Sequence, residues 1–179
     1  MKKIALILMS AFVLNASMAQ KTVMVGGAAM YPTKNIVENA VNSKVHTTLV
    51  AAVKAAGLVE TLSSAGPFTV FAPTNAAFNK LPAGTVGTLV KPENKATLTS
   101  ILTYHVIAGK FSAKDVIKLI KAGKGIAELK TVQGGILKAS IKGKKVVLTD
   151  AKGGKSIVTI ADVNQSNGVI HVVNTVLMP

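Results

Sequence analysis

The chain has 179 residues, 49% hydrophobic, 16% charged and only 4% aromatic, and carries a net charge of +14 with no cysteine. All 21 of its basic residues are lysines. These figures exclude a disulfide scaffold. They also argue against nucleic acid as a partner, because duplex readers use arginine for bidentate contacts and single-strand binders stack bases on aromatic rings.

Met1-Lys2-Lys3 is a short basic start, Ile4 to Leu14 is an apolar run broken only by Ser10, and Ser17-Met18-Ala19 offers small residues for cleavage. The pattern predicts a secretory signal peptide over residues 1–19, too short for a stable membrane anchor. The mature protein is therefore expected to be secreted, extracellular or periplasmic. No later segment reaches the roughly 18 apolar residues that span a bilayer, so no transmembrane anchor is expected after cleavage. Losing Lys2 and Lys3 lowers the charge from +14 to +12. What remains suits one domain burying about two thirds of its unfolded surface.

Residues 20–33 show no clear period and read as an N-terminal arm whose order depends on docking. The domain is expected over 34–179. Asn35 to Ser43 suits a short helix with Ile36, Val37 and Val41 inward. Thr47-Thr48 starts a second helix, with Leu49, Val50, Val53 and Ala56 on its apolar side and Gly57 at its end. Leu58 to Leu62 adds a further turn. Phe68 to Pro73 alternates with period two and reads as a strand that stops at Pro73. Thr74 or Asn75 then caps a helix that carries Phe78 back onto the strand. Thr85 to Leu89 suits another turn. Pro92 opens a helix to about Tyr104, with Ala96, Leu98, Ile101 and Leu102 inward. Ser112-Ala113-Lys114-Asp115 resembles a capping box and starts a helix ending near Gly123, with Val116, Ile117 and Ile120 inward.

The character then changes to strand. Leu137, Ala139 and Ile141 alternate with polar partners, Gly143-Lys144 makes a two-residue turn, and Val146 and Leu148 continue on the return strand. Ile157 to Val163 forms the next strand, Asn164 to Gly168 a polar turn, and Val169 to Val173 a strand apolar enough to be covered on both faces. Helices first and strands later predict an α+β fold, the helices packing against a C-terminal, mainly antiparallel sheet.

No chemistry emerges from the side chains. No serine lies in a Gly-x-Ser-x-Gly elbow, His46, His105 and His171 are never spaced as metal ligands, and the seven carboxylates do not cluster as a calcium loop would require. Neither an enzyme, a metal nor a cofactor is expected. His171, within an apolar strand, reads as a buried neutral imidazole.

Three segments resemble the fasciclin-like domain family. Thr69-Val70-Phe71-Ala72-Pro73-Thr74-Asn75-Ala76-Ala77-Phe78 is similar to its first signature, and Phe71, Pro73, Thr74, Asn75 and Phe78 carry the likeness. Asn167 to Pro179 is similar to the second, through Gly168 and His171. Leu102 to Ile107 resembles the family's tyrosine–histidine segment. One departure is Asn174, where the family usually carries aspartate.

The resemblance implies a secreted, non-catalytic module for cell adhesion or extracellular-matrix interaction, with protein or acidic-glycan partners. It also implies an adhesion motif at Tyr104 and His105. Read from the residues alone, that pair ties a helix end to neighbouring backbone. The alternative implied by the family is a carrier of an apolar, carotenoid-like small molecule, with Val23 to Met30 covering its groove. The lysines read either as a solubilising surface or as weak attraction for polyanions.

Overall fold

The computed structural model describes residues 21–179. The expected signal peptide lies outside them. The segment expected as an arm begins with a β-hairpin, β1 (Val23–Val25) and β2 (Ala28–Met30), closed by Gly26-Gly27. Val25 and Met30 are buried. Strands of three residues are too short to show a period, so the sequence could not distinguish them from an arm.

α1 (Ile36–Ala40) starts in a reciprocal capping box. Asn35 Oδ1 accepts from the Glu38 N–H at 2.9 Å and Glu38 Oε2 accepts from the Asn35 N–H at 2.8 Å. The helix ends before Val41, which is exposed rather than inward. α2 (Thr47–Ala56) buries Leu49, Ala52, Val53 and Ala56 and ends at Gly57, whose φ of 73° is left-handed. α3 (Val59–Ser63) follows and leads to β3 (Phe68–Pro73).

Thr74 caps α4 (Asn75–Phe78), and α5 (Thr85–Leu89) comes next. A 3₁₀ turn opened by Pro92 feeds α6 (Lys95–Tyr104). Ala96, expected inward, lies on the exposed side. β4 (Val106–Ala108), which the sequence reading did not contain, follows directly. α7 (Ala113–Ala122) begins in the expected capping box between Ser112 and Asp115. The remaining strands are β5 (Ile126–Lys130), β6 (Ile136–Lys142), β7 (Lys145–Thr149), β8 (Lys155–Gln165) and β9 (Gly168–Val173).

Seven strands form one sheet in the order β4-β3-β9-β8-β7-β6-β5. Every pairing in it is antiparallel except β3 with β9, which run parallel from Phe68↔Gly168 to Pro73↔Val173. The fold is thus α+β, with helices and a mixed sheet.

Two apolar clusters flank the central strands. Val70, Ala72, Ile170 and Val172 face the hairpin and α1 to α6. Phe71 and Val173 face the other way, toward Val116 and Ile120 of α7 and the inner sides of β5 to β7. β9 is buried along its whole length, as a strand covered on both faces must be. β3 is nearly so: its alternate residues face opposite clusters, so both of its faces are covered. Ile141 continues the inward side of β6 but projects beyond the cluster and is exposed.

Candidate functional site

The residues singled out from the sequence meet around the β3–β9 pair. Phe71 and His171 are register partners there, and their rings stack with centroids 5.6 Å apart at 28°. The strands approach so closely at Gly168 that a Cβ would overlap the Phe68 carbonyl oxygen, so only glycine fits. His171 Nε2–H donates to the Phe111 carbonyl at 2.8 Å, and its Nδ1 accepts from the Asp162 N–H at 3.2 Å. Both ring nitrogens are therefore satisfied by a neutral imidazole. Burial lowers its pKa, partly offset by the Phe111 carbonyl and by Asp162.

Asp162 had no place in the sequence reading. It lies where the β8–β9 register shifts, with φ at 57°, a left-handed value uncommon for a side-chain-bearing residue. Its Oδ1 accepts from the Ala113 N–H at 2.7 Å. One carboxylate thus holds the first turn of α7, while its backbone holds His171. An aspartate inside a strand-like run was the available signal, since strands are poor in aspartate.

Tyr104 and His105 are both buried at the end of α6. His105 Nδ1–H donates to the Ile101 carbonyl at 2.8 Å, and Nε2 accepts from the Leu177 N–H at 3.0 Å. Burial lowers its pKa to about 4, against smaller opposing effects of the Ile101 carbonyl and Asp150. The Tyr104 hydroxyl donates to the Ile136 carbonyl at 2.8 Å and accepts from the Ala151 N–H at 3.1 Å. Asp150, also missed from sequence, accepts from the Met178 N–H at 2.9 Å. The pair therefore bolts α6 to β6, the β7–β8 turn and the C-terminal segment. Tyr104→Phe takes the donor from the Ile136 carbonyl and the acceptor from the Ala151 N–H, and an expected loss of roughly 1–3 kcal/mol should appear in urea titration. An unchanged midpoint would show that the hydroxyl is not holding them.

The rest of the first signature is equally committed. Thr74 Oγ1 accepts from the Ala77 N–H at 3.2 Å. Asn75 Oδ1 accepts from the Thr48 N–H at 3.0 Å, and its Nδ2 donates to the Lys44 carbonyl and Thr47 Oγ1. Asn75 thereby joins the starts of α2 and α4. Pro73 ends β3, and Phe78 is buried in the first cluster.

Asn174 needs no carboxylate for its contacts. Its amide oxygen accepts from the Ile157 N–H at 2.9 Å and from the Thr175 hydroxyl at 3.2 Å. Asn167, within the stretch expected as a plain polar turn, is buried. It accepts from the Ile36 N–H and donates to the Leu62 and Ser64 carbonyls, joining α1, α3 and the β8–β9 turn.

These groups are occupied with one another and with backbone, which leaves them no free proton acceptor or nucleophile to offer a substrate. His46 differs in detail. Its Nδ1 contacts Ser43 Oγ at 2.9 Å, while Nε2 is buried without a hydrogen-bond partner. The nearby Ala72 carbonyl only partly offsets the lowering of its pKa by burial. Among the described residues no three histidine or carboxylate side chains gather as a metal set, and no helix is long and apolar enough to cross a membrane.

The fasciclin domain profile matches residues 44–179. Protein sll1483 of Synechocystis sp. is 49% identical over 160 residues, covering 89% of this chain and 82% of that one. The cell surface glycolipoprotein MPB83 of Mycobacterium bovis is 41% identical over 122 residues, 68% of this chain and 48% of its own length. Among solved structures, a FAS1 domain pair from the insect cell adhesion molecule fasciclin I superposes with a TM-score of 0.72 at 19% identity. It covers 82% of this chain, which in turn spans about half (51%) of that one.

Proposed function

The chain belongs to the fasciclin domain family, and from that premise we propose that it is a secreted, non-catalytic adhesion or matrix-interaction module for protein or acidic-glycan partners. The observation that carries this reading is the inward commitment of the signature residues. With Phe71, Tyr104, His105 and His171 engaged inside and Asn75 tied to the starts of two helices, a partner meets a surface whose charge is mainly that of lysines. Tyr104 and His105 then serve adhesion as the frame behind that surface. The adhesive and cell-surface descriptions of fasciclin I and MPB83 support the same reading, and the signal-peptide pattern expected over residues 1–19 fits export. A single domain bridges two surfaces only by oligomerising or by using two faces.

The carrier reading has less behind it. The apolar cavity beside the hairpin, bordered by Met30, His46, Leu49 and Phe71, is about 40 Å³, room for a few water molecules and not for a carotenoid-length chain.

The test is retention of the purified protein on the envelope fraction of its source cells across a salt series. Lysine-driven binding should be strong near 0.01 M salt, where charges act over ~30 Å, and lost toward 1 M, where they act over ~3 Å. Binding that ignores salt would remove the lysines from the contact.

A further inference from the structure

We infer that the outward face of the ladder formed by β5, β6, β7 and β8 is the contact surface for a linear anionic polysaccharide. The inference rests on the polyanion reading above and assigns it a place.

The inward side of the ladder is identified by Ala127, Leu129, Leu137, Ala139 and Leu148, all buried. Alternation puts the residues between them on the opposite face. Register then aligns them in rows across the strands. Lys130 lies opposite Ile136, and the next row reads Glu128, Lys138, Thr149, Lys155. After it come Ile126, Ser140, Val147 and Ile157, with Val147 buried among its neighbours, and finally Lys142 opposite Lys145. The five lysines are exposed, and Glu128 is the one carboxylate in these rows. At ~3.4 Å per residue and ~4.8 Å per strand, the lysines occupy a patch of about 20 by 14 Å.

Two features set this face apart from a merely solubilising one. A solubilising surface intersperses both signs, whereas five of these six charges are positive. Lys142 also faces Lys145 directly, with Lys144 in the turn between them, and like charges directly opposite each other destabilise a hairpin. A bound anion would relieve that repulsion.

The same residues select the class of partner. Protein interfaces draw their energy from tryptophan, tyrosine and arginine and are depleted in lysine; these rows contain none of the first three. Lysine is a hydrated point charge on a flexible stem, suited to carboxylates and sulfates presented along a polymer without fixed geometry.

The experiment compares three forms of the full mature chain on immobilised polyuronate and on dextran sulfate. These are the wild type, Lys138→Gln/Lys142→Gln on the ladder, and Lys44→Gln/Lys91→Gln away from it, the two doubles removing equal charge. The wild type should be retained. The ladder double should bind about 25-fold more weakly at low salt, taking roughly fivefold per lysine near an anionic surface, with a shallower dependence of log K on log salt. The control double should stay within about twofold.

Lys142→Glu separates folding from binding. It should raise the melting temperature by about 1–2 °C, by creating an opposite-charge pair with Lys145, while weakening retention. Equal losses in the two doubles would overturn the assignment of the face and leave the polyanion reading standing. Absence of wild-type retention on either polymer would sink that reading as well. Tighter binding to phosphatidylglycerol vesicles, abolished by Ile126→Ser/Ile136→Ser, would give the face to a lipid surface and overturn the polysaccharide.

Discussion

Phe71→Ala lowers the stability of the folded domain by roughly 3–5 kcal/mol, the range for removing a large buried aromatic side chain. The ring is almost wholly buried in the second apolar cluster, beside Tyr104, Val173 and Leu177. It also supports one face of the His171 imidazole. Backbone hydrogen bonds hold β3 on both sides, so the strands cannot close over the gap, and poor collapse puts the cost at the upper end of the range. Phe68→Ala is the control, because Phe68 is only half-buried and should cost roughly 1–2 kcal/mol by loss of partial burial alone. Urea titration with an unchanged slope reads both. Equal costs at the two positions would mean that the interior does not lie where β3 places it.

Acidification is the second large effect. His105 is held to about 4 when folded, against 6.5 as the ordinary value. An unfolded chain therefore binds a proton there between about pH 6.5 and 4 while the folded one does not. Stability rises with pH wherever the unfolded state holds more protons, so the contribution is complete above pH 6.5 and is lost as pH falls through that window. The difference corresponds to roughly 3 kcal/mol at its lower end. His46 and His171 are lowered too, by burial in each case, and act in the same direction. Urea midpoints at pH 7, 5.5 and 4 should decline steadily, and NMR titration should show the His105 ring still neutral at pH 5. A domain more stable at pH 5 than at pH 7 would mean that these rings do not titrate as buried bases.

Much of this interior was legible because apolar residues carry their own period. Leu49, Val53 and Ala56 on α2, the Ser112–Asp115 box on α7 and the two-residue turn at Gly143-Lys144 all rest on local rules, and the structure obeys them. What escaped depends on partners distant in sequence. β4 and β5 are too short or too charged to stand out until Phe68–Val70 and β6 pair with them. Val41, Ala96 and Ile141 continue a correct apolar pattern past the point where anything covers them. The polar half of the interior was the least visible. Asn39 donates to Gln165, and Asn167 links three elements, across separations of more than a hundred residues. No periodicity marks a side chain whose role is to satisfy someone else's backbone. His171 as a buried neutral imidazole, and Tyr104-His105 as a tie between a helix end and backbone, were legible from the residues, while the backbone groups they meet came only from the fold.

The parallel pairing of β3 with β9 sets a schedule for the chain's birth. Phe68 finds Gly168 a hundred positions downstream, and loop-closure entropy must be overcome before that contact gives anything back. As the polypeptide leaves the ribosome from its N-terminus, the middle of its sheet stays missing until residues 168–173 emerge. A nascent chain truncated before residue 168 should thus remain protease-sensitive, whatever helices it has already wound. The last strand of this sheet to emerge closes its interior, not an edge.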